Sequence, residues 1–145
     1  MFGIPRAPLV LGLAGLLPFI AAAFASTLAH SNPLLTKVDS LEALLLYGTI
    51  ILSFMSGVLW GFATKAEGTK ATVGYILSVL PALWAFFMRG GAVADTLFYL
   101  AIGFIGLLVL DYFFYRNGLT PRWWMRLRIV LTVIVVTCLS IGAYQ

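Results

Sequence analysis

The sequence predicts an all-α integral membrane protein, folded as a five-helix up-and-down bundle. Five apolar stretches occupy most of the 145 residues, and each approaches the roughly 20 residues that a helix needs to cross a hydrocarbon core about 30 Å thick. Hydrophobic residues make up 62% of the chain and charged residues 10%, whereas about a quarter of a soluble protein is charged. The connections are short, so consecutive helices are expected to run antiparallel.

The whole chain, residues 1–145, is predicted to form a single transmembrane domain. Its spans are expected at residues 8–29, 41–64, 69–88, 93–115 and 123–144.

Each span ends where turn-forming residues interrupt the apolar pattern. The interruptions lie at 31–33, 65–68, 89–91 and 116–121, which are rich in Gly, Pro, Asn and Ser. Pro18 lies within the first span, where it predicts a bend because proline cannot donate a helical hydrogen bond.

The first 30 residues also resemble a secretory signal peptide. Arg6 precedes an apolar run, and Ala23-Phe24-Ala25 before Ser26 has the small residues of a cleavage site. The run is longer than a usual signal core, which favours a retained span. Cleavage would leave four spans in unchanged orientation, and both outcomes stay open.

The loops differ in positive charge, which sets the orientation because cytoplasmic loops are enriched in Lys and Arg. One side of the membrane is expected to hold Arg6, Lys65, Lys70, Arg116, Arg122, Arg126 and Arg128. The other side holds only Lys37 and Arg89. This bias predicts a cytoplasmic amino terminus, or one in the matrix if the protein lies in an organelle.

The composition disfavours several functions. The net charge of +4 arises from cations beside apolar spans, where lipid phosphate is the expected partner and nucleic acid is not. One cysteine, Cys138, and one histidine, His30, allow neither an internal disulfide nor a haem held by two histidines. His30 is expected to be a solvated loop residue. No catalytic set or metal-spaced cluster is recognisable, so we expect no enzyme activity, no metal and no cofactor.

Small residues recur every fourth position in span two, at Ser53, Gly57 and Gly61, with Ser56 and Trp60 beside them. Such a strip lets another helix approach closely, so we expect a helix-packing seam. A polar groove for a lipid headgroup or small ligand is the alternative.

Span three repeats this spacing at Gly74 and Ser78, followed by Pro81. The repeat predicts tight packing between spans two and three, and Pro81 predicts a kink.

Asp111 is the first candidate for a role beyond packing. It lies about one turn inside the end of span four, where an isolated carboxylate is costly. Arg126 and Arg128 open span five at similar depth, so either could form a buried ion pair with Asp111. The alternatives are a carboxylate linked to a proton or ligand, and simple exposure to interfacial water.

Arg122, Trp123 and Trp124 combine a cation with two indoles at the start of span five. Tryptophan prefers the headgroup level and arginine can bind phosphate, so these residues are predicted to anchor the helix at the lipid interface. Recognition of a particular anionic lipid such as cardiolipin is the more specific alternative.

Several motifs resemble one family of small membrane proteins. They are IPRAP at 4–8, YGTIILSFMSGVLWG at 47–61, SVLP at 78–81, the stretch 103–111, PRWW at 121–124 and the residues that follow it to Thr132. This family, of unknown function, occurs in proteobacteria and is related to mitochondrial transmembrane protein 69. The resemblance implies a bacterial inner-membrane or mitochondrial inner-membrane location, and it supplies no activity or catalytic residues.

Two functions remain open. The first is an accessory subunit or assembly factor that packs against a larger membrane complex, with a respiratory complex suggested only by the resemblance. The second is a binding or transport module for a lipid, quinone or small solute, working as an oligomer, with its ligand among Ser53, Ser56, Trp60, Ser78 and Asp111. The expected partners are therefore the bilayer and either other membrane subunits or further copies of this chain.

Overall fold

The computed structural model describes residues 3–29, 31 and 36–145, and within them it contains helices and no strands. The helices are α1 (Arg6–Ala14), α2 (Leu17–Leu28), α3 (Lys37–Ala63), α4 (Gly68–Phe87), α5 (Val93–Arg116) and α6 (Trp124–Ala143). Because α1 and α2 together form one span, the described residues contain five segments long and apolar enough to cross a membrane. The predicted fold class is therefore confirmed. His30 and the predicted turn at 32–33 lie outside the described residues.

The first span is broken at Gly15 and Leu16, immediately before Pro18. Pro18 lies in the first turn of α2, where its missing N–H needs no partner. It could not have bonded the carbonyl of Ala14, so the helix stops and restarts there. The Tyr47 hydroxyl donates to the Gly15 carbonyl at 2.9 Å and ties the break to α3. The structure thus shows a break of the helix two residues before Pro18, and the predicted bend stays a prediction.

The largest difference from the predicted spans is at the start of α3, which begins at Lys37 and not at residue 41. Thr36 caps it, with its hydroxyl oxygen accepting a hydrogen bond from the Asp39 amide at 3.3 Å. The apolar pattern begins only at Leu41, so a prediction based on hydropathy misses this polar first turn.

Helix α3 is the centre of the bundle and contacts α2, α4, α5 and α6. Leu44, Leu52 and Leu59 lie at intervals of about two turns along it and are fully buried. From the first span, Phe19 packs edge-on against Tyr47, with ring centroids 4.9 Å apart. The first span is thus an integral part of the packed core.

Large apolar side chains cover the outside of the bundle. Exposed examples are Leu11, Phe24, Phe54, Phe86 and Val109, which come from four of the five spans. An apolar surface of this extent would be untenable in water but is what contact with lipid tails requires.

Hydrogen bonds join chain segments at each end of the bundle. At one end, Lys70 Nζ donates to the Asn117 carbonyl at 2.8 Å, so the first turn of α4 meets the connection between α5 and α6. At the other end, the Lys37 ammonium donates to the carbonyl of Gln145. These contacts agree with antiparallel neighbours, while the orientation relative to the cytoplasm stays a prediction.

Candidate functional site

A buried ion pair joins α5 to α6. Arg128 Nε lies 2.7 Å from Asp111 Oδ2, and the two side chains are 5% and 0% exposed. Asp111 Oδ1 accepts a second hydrogen bond, from the indole Nε1 of Trp124 at 2.9 Å. Both carboxylate oxygens therefore have donors, which offsets the cost of removing the charge from water.

Only one of the two candidate arginines faces this site. Arg128 turns inward to Asp111, whereas Arg126 lies on the exposed side of α6. The proposed set of Asp111, Arg126 and Arg128 is thus corrected to Asp111 and Arg128. Trp124 also belongs to this site, because its indole donates to Asp111, although its position at the start of span five predicts the lipid interface. Its ring packs edge-on against Phe62 of α3, with centroids 5.0 Å apart.

Of the other residues predicted at the lipid interface, Arg122 is exposed and Trp123 is half-buried. Both precede α6 at the end of the bundle that also carries Lys70 and Arg116. Their position suits the proposed anchoring, which stays a prediction.

A second polar contact joins α3 to α4 beside Pro81, which weakens the hydrogen bonding of α4. The Ser56 hydroxyl, from α3, donates to the Ser78 carbonyl, and its oxygen accepts from the Ala82 amide at 3.3 Å. In an uninterrupted helix that amide would bond the Ser78 carbonyl directly. Ser56 therefore links this carbonyl and this amide beside Pro81, and α4 remains continuous through the proline.

Replacing Ser56 by alanine is expected to lower the free energy of unfolding by about 1 kcal/mol, because hydrogen bonds between membrane helices contribute on this scale. Ser53→Ala is the matched control, since the Ser53 hydroxyl is exposed and bonds only its own helix, at the Thr49 carbonyl. Unfolding in detergent measures both variants. Equal effects would contradict the bridging role of Ser56.

The small-residue strip of α3 points away from the bundle. Ser53, Gly57 and Gly61 are exposed, and a Cβ at either glycine would meet no described atom within 4 Å. Within the described residues, the helix-packing seam expected along this strip therefore does not form, whereas the predicted tight packing between spans two and three is present. Helix α4 instead meets the adjoining face, where a Cβ on Gly74 would lie 3.0 Å from the Ala63 Cβ.

Close approach elsewhere depends on glycines that the sequence did not single out for packing. A Cβ on Gly48 would lie 2.5 Å from Leu100 Cδ2, and one on Gly142 would lie 2.6 Å from Leu44 Cδ2. A Cβ on Gly103 would lie 2.8 Å from the Trp84 ring. Unlike Gly57 and Gly61, these glycines do not recur at a fixed interval on one helix, so periodicity could not have identified them.

The polar groove predicted among spans two to four does not form from the residues named for it. Ser53 and Trp60 lie on the exposed side of α3, with Trp60 against Tyr75 at 4.6 Å between centroids. Ser56 and Ser78 belong to the α3–α4 contact, and Asp111 belongs to the α5–α6 ion pair. These residues therefore lie in three separate places.

Within the part of the chain that the structure describes, no three His, Cys, Asp or Glu residues are placed to hold a metal ion. The buried carboxylate of Asp111 is occupied by two donors. What this arrangement provides is a fixed register between α5, α6 and α3.

The fold and its buried ion pair define a small polytopic membrane protein whose polar residues join helices inside the bundle. The chain belongs to the family described as "Protein of unknown function (DUF3429)", which it matches over residues 4–144. The predicted family is thereby confirmed.

Two vertebrate proteins illustrate the similarity. The chain is 32% identical to "Transmembrane protein 69" of Xenopus tropicalis over 144 residues, covering 91% of this chain and 51% of that protein. It is 30% identical to "Transmembrane protein 69" of Mus musculus over 136 residues, covering 90% of this chain and 52% of that protein. The chain thus spans about half the length of these relatives. No solved structure matches significantly.

Proposed function

We propose that this protein is a non-enzymatic component of a bacterial inner membrane, or of the mitochondrial inner membrane in a eukaryote. In this proposal it serves as an accessory subunit or assembly factor of a larger membrane complex, such as a respiratory one. Its role is to present a rigid helical surface to another membrane protein.

The outward strip of α3 carries this proposal. Ser53, Gly57 and Gly61 place only small side chains on this exposed face of the central helix, and a Cβ at either glycine would meet no atom of another helix within 4 Å. In a bilayer, helices associate mainly through van der Waals contact, and small residues allow the backbones to come close. This strip lies on α3, which contacts most of the other helices. It therefore offers a partner a firmly held surface.

Polar chemistry inside the bundle supports a structural role. The Ser56 hydroxyl and the Asp111 carboxylate are both engaged in contacts between helices. Neither is left free to act on a substrate, which favours an interaction protein over an enzyme. The inner-membrane location rests on the proteobacterial and mitochondrial resemblance, and the unequal distribution of Lys and Arg bears on the orientation.

The test is purification of the tagged native protein in mild detergent, followed by native mass spectrometry. We expect the unaltered protein to form a stoichiometric larger complex. We expect Gly57→Leu or Gly61→Leu to abolish this complex, because the leucine side chain would cover the strip of small residues. Gly106→Leu is the matched control, because Gly106 of α5 is another helical glycine at which an added Cβ would meet no described atom within 4 Å.

The complex should survive the Gly106→Leu substitution, and all three variants should remain folded. A lone protein after crosslinking in the native membrane, or a complex unaffected by both α3 variants, would refute the proposal. A complex that contains only copies of this chain would replace the accessory role with self-association.

A further inference from the structure

A small cavity lies beside the buried ion pair, between the first span and helices α3, α5 and α6. Its volume is about 110 Å³, and most of its wall is apolar. The break in the first span borders it through Gly15 and Leu16, and Gly12 of α1 also lines it. Two polar residues of α6, Arg128 and Thr132, complete the lining.

Both polar residues have an atom without a partner. Arg128 is 4% exposed and Thr132 is 3% exposed, yet Arg128 Nη2 and Thr132 Oγ1 have no hydrogen-bond partner among the described residues. A buried polar group without a partner costs about 1–3 kcal/mol. The two residues are four apart and therefore share one face of α6.

The state of Thr132 is unusual in this bundle. A threonine inside a helix commonly bonds the carbonyl four residues earlier, as Thr49 does to Leu45 at 2.8 Å and Thr137 does to Val133 at 2.8 Å. Thr132 forms no such bond. Arg128 and Thr132, which both line the cavity, thus each carry a buried donor without a described partner, and a small shift of these side chains would bring both donors to a molecule in the cavity.

We propose that this cavity binds the carbonyl oxygen of a lipid-soluble molecule. A carbonyl oxygen has two lone pairs and can accept from both donors. The positive charge of Arg128 is already balanced by Asp111, whose carboxylate lies 2.7 Å from Arg128 Nε and would repel an anion. A neutral acceptor is therefore favoured over a carboxylate or phosphate.

The size and position of the cavity suit a ligand that enters from the bilayer. Phe54 lines the cavity and is also exposed on the outer surface, so the opening faces lipid. At about 110 Å³ the cavity is smaller than the cavities of about 150 Å³ that hold a whole benzene ring, so it has room for the carbonyl end of a ligand and not for the entire molecule. Thr132 lies eight residues into α6, which places it about 12 Å along a helix that rises 1.5 Å per residue.

Two membrane components carry a carbonyl of this kind: a quinone ring and the acyl ester of a phospholipid. The protein is assembled into lipid nanodiscs and titrated with a short-chain benzoquinone, with tryptophan fluorescence as the readout. In parallel, native mass spectrometry compares retention of a diester phosphatidylcholine with that of its diether analogue, which lacks the carbonyls.

Thr132→Val keeps the shape of the side chain and removes the hydroxyl. We expect it to weaken binding about fivefold to tenfold, the effect of losing about one hydrogen bond. Thr132→Ser should retain binding. Thr137→Val is the matched control, because that exposed threonine of the same helix bonds its own backbone.

Saturable quinone binding that depends on Thr132 supports the proposal with the quinone as the source. Preferential retention of the diester lipid, lost in Thr132→Val, supports it with the ester as the source. The proposal is overturned if neither ligand binds, as expected for a cavity that holds water alone, or if Thr132→Val and the unaltered protein bind equally. Melting temperatures of all variants establish that each is folded.

Discussion

Asp111→Asn is expected to lower the free energy of unfolding by about 3–5 kcal/mol, the scale on which removal of one partner from a buried ion pair destabilises proteins. The amide keeps an oxygen that can accept from Trp124, but it removes the negative charge beside Arg128. That guanidinium is then buried without a counter-charge, because its side chain is only 5% exposed. Reversible unfolding in detergent micelles measures the loss.

A double variant separates the ion pair from general disturbance of the core. Arg128→Met in the Asp111→Asn background removes the stranded charge and should recover most of the lost stability. Asp95→Asn is the control on the same helix, since Asp95 is exposed in the first turn of α5 and should change stability by about 0.5 kcal/mol or less. Additive losses in the double variant would refute the coupling.

Gly103→Val is expected to destabilise the bundle by about 3 kcal/mol, at the upper end of the range for overpacked cores. Even a Cβ at this position would lie 2.8 Å from Leu52 Cδ2 and 2.8 Å from Trp84 Cδ1. The indole cannot swing away at low cost, because its Nε1 donates to the Tyr99 carbonyl at 2.7 Å. The added side chain therefore forces α4 and α5 apart.

Gly106→Val tests the same change one turn along α5. No described atom lies within 4 Å of a Cβ at Gly106, so this variant should differ from the unaltered protein by only about 0.5 kcal/mol. Comparing Gly103→Val with Gly106→Val also cancels the difference in helix propensity between glycine and valine. Similar stabilities of the two variants would show that Trp84 and Leu52 do not set the spacing of α4 and α5.

The sequence predicts that Asp111 forms a buried ion pair, but it does not predict which arginine is the partner. A carboxylate inside a span needs a cation, and the cations nearest to Asp111 in depth are Arg126 and Arg128. Because Arg126 and Arg128 are two residues apart on α6, their side chains lie about 200° apart around the helix axis, at about 100° per residue. Which of them faces Asp111 depends on how α6 is rotated against α5, and only the packed core sets that rotation.

The same reason explains the misplaced seam. The interval between Ser53, Gly57 and Gly61 correctly predicts one face of small residues on α3, but it does not say what lies opposite that face. The neighbours that crowd Gly103 come from α3 and α4, far away in the sequence. Similarly, Ser56 can be recognised as a bridge only once it is seen beside the weakened turn of α4.

The five apolar stretches of the sequence predict the five membrane-spanning helices that the described residues form. A bilayer core offers no partners to backbone N–H and C=O groups, so long apolar segments must satisfy their own hydrogen bonds as helices. The sequence also predicts a bend at Pro18, and the first span breaks two residues before it. Which side of each helix faces the core depends on how the helices pack against one another in the folded bundle. The lipid tails and the interior of the bundle are similarly apolar, so hydropathy does not distinguish the lipid-facing side of a helix from its core-facing side. Close packing and the polar contacts of Arg128 and Ser56 make that distinction.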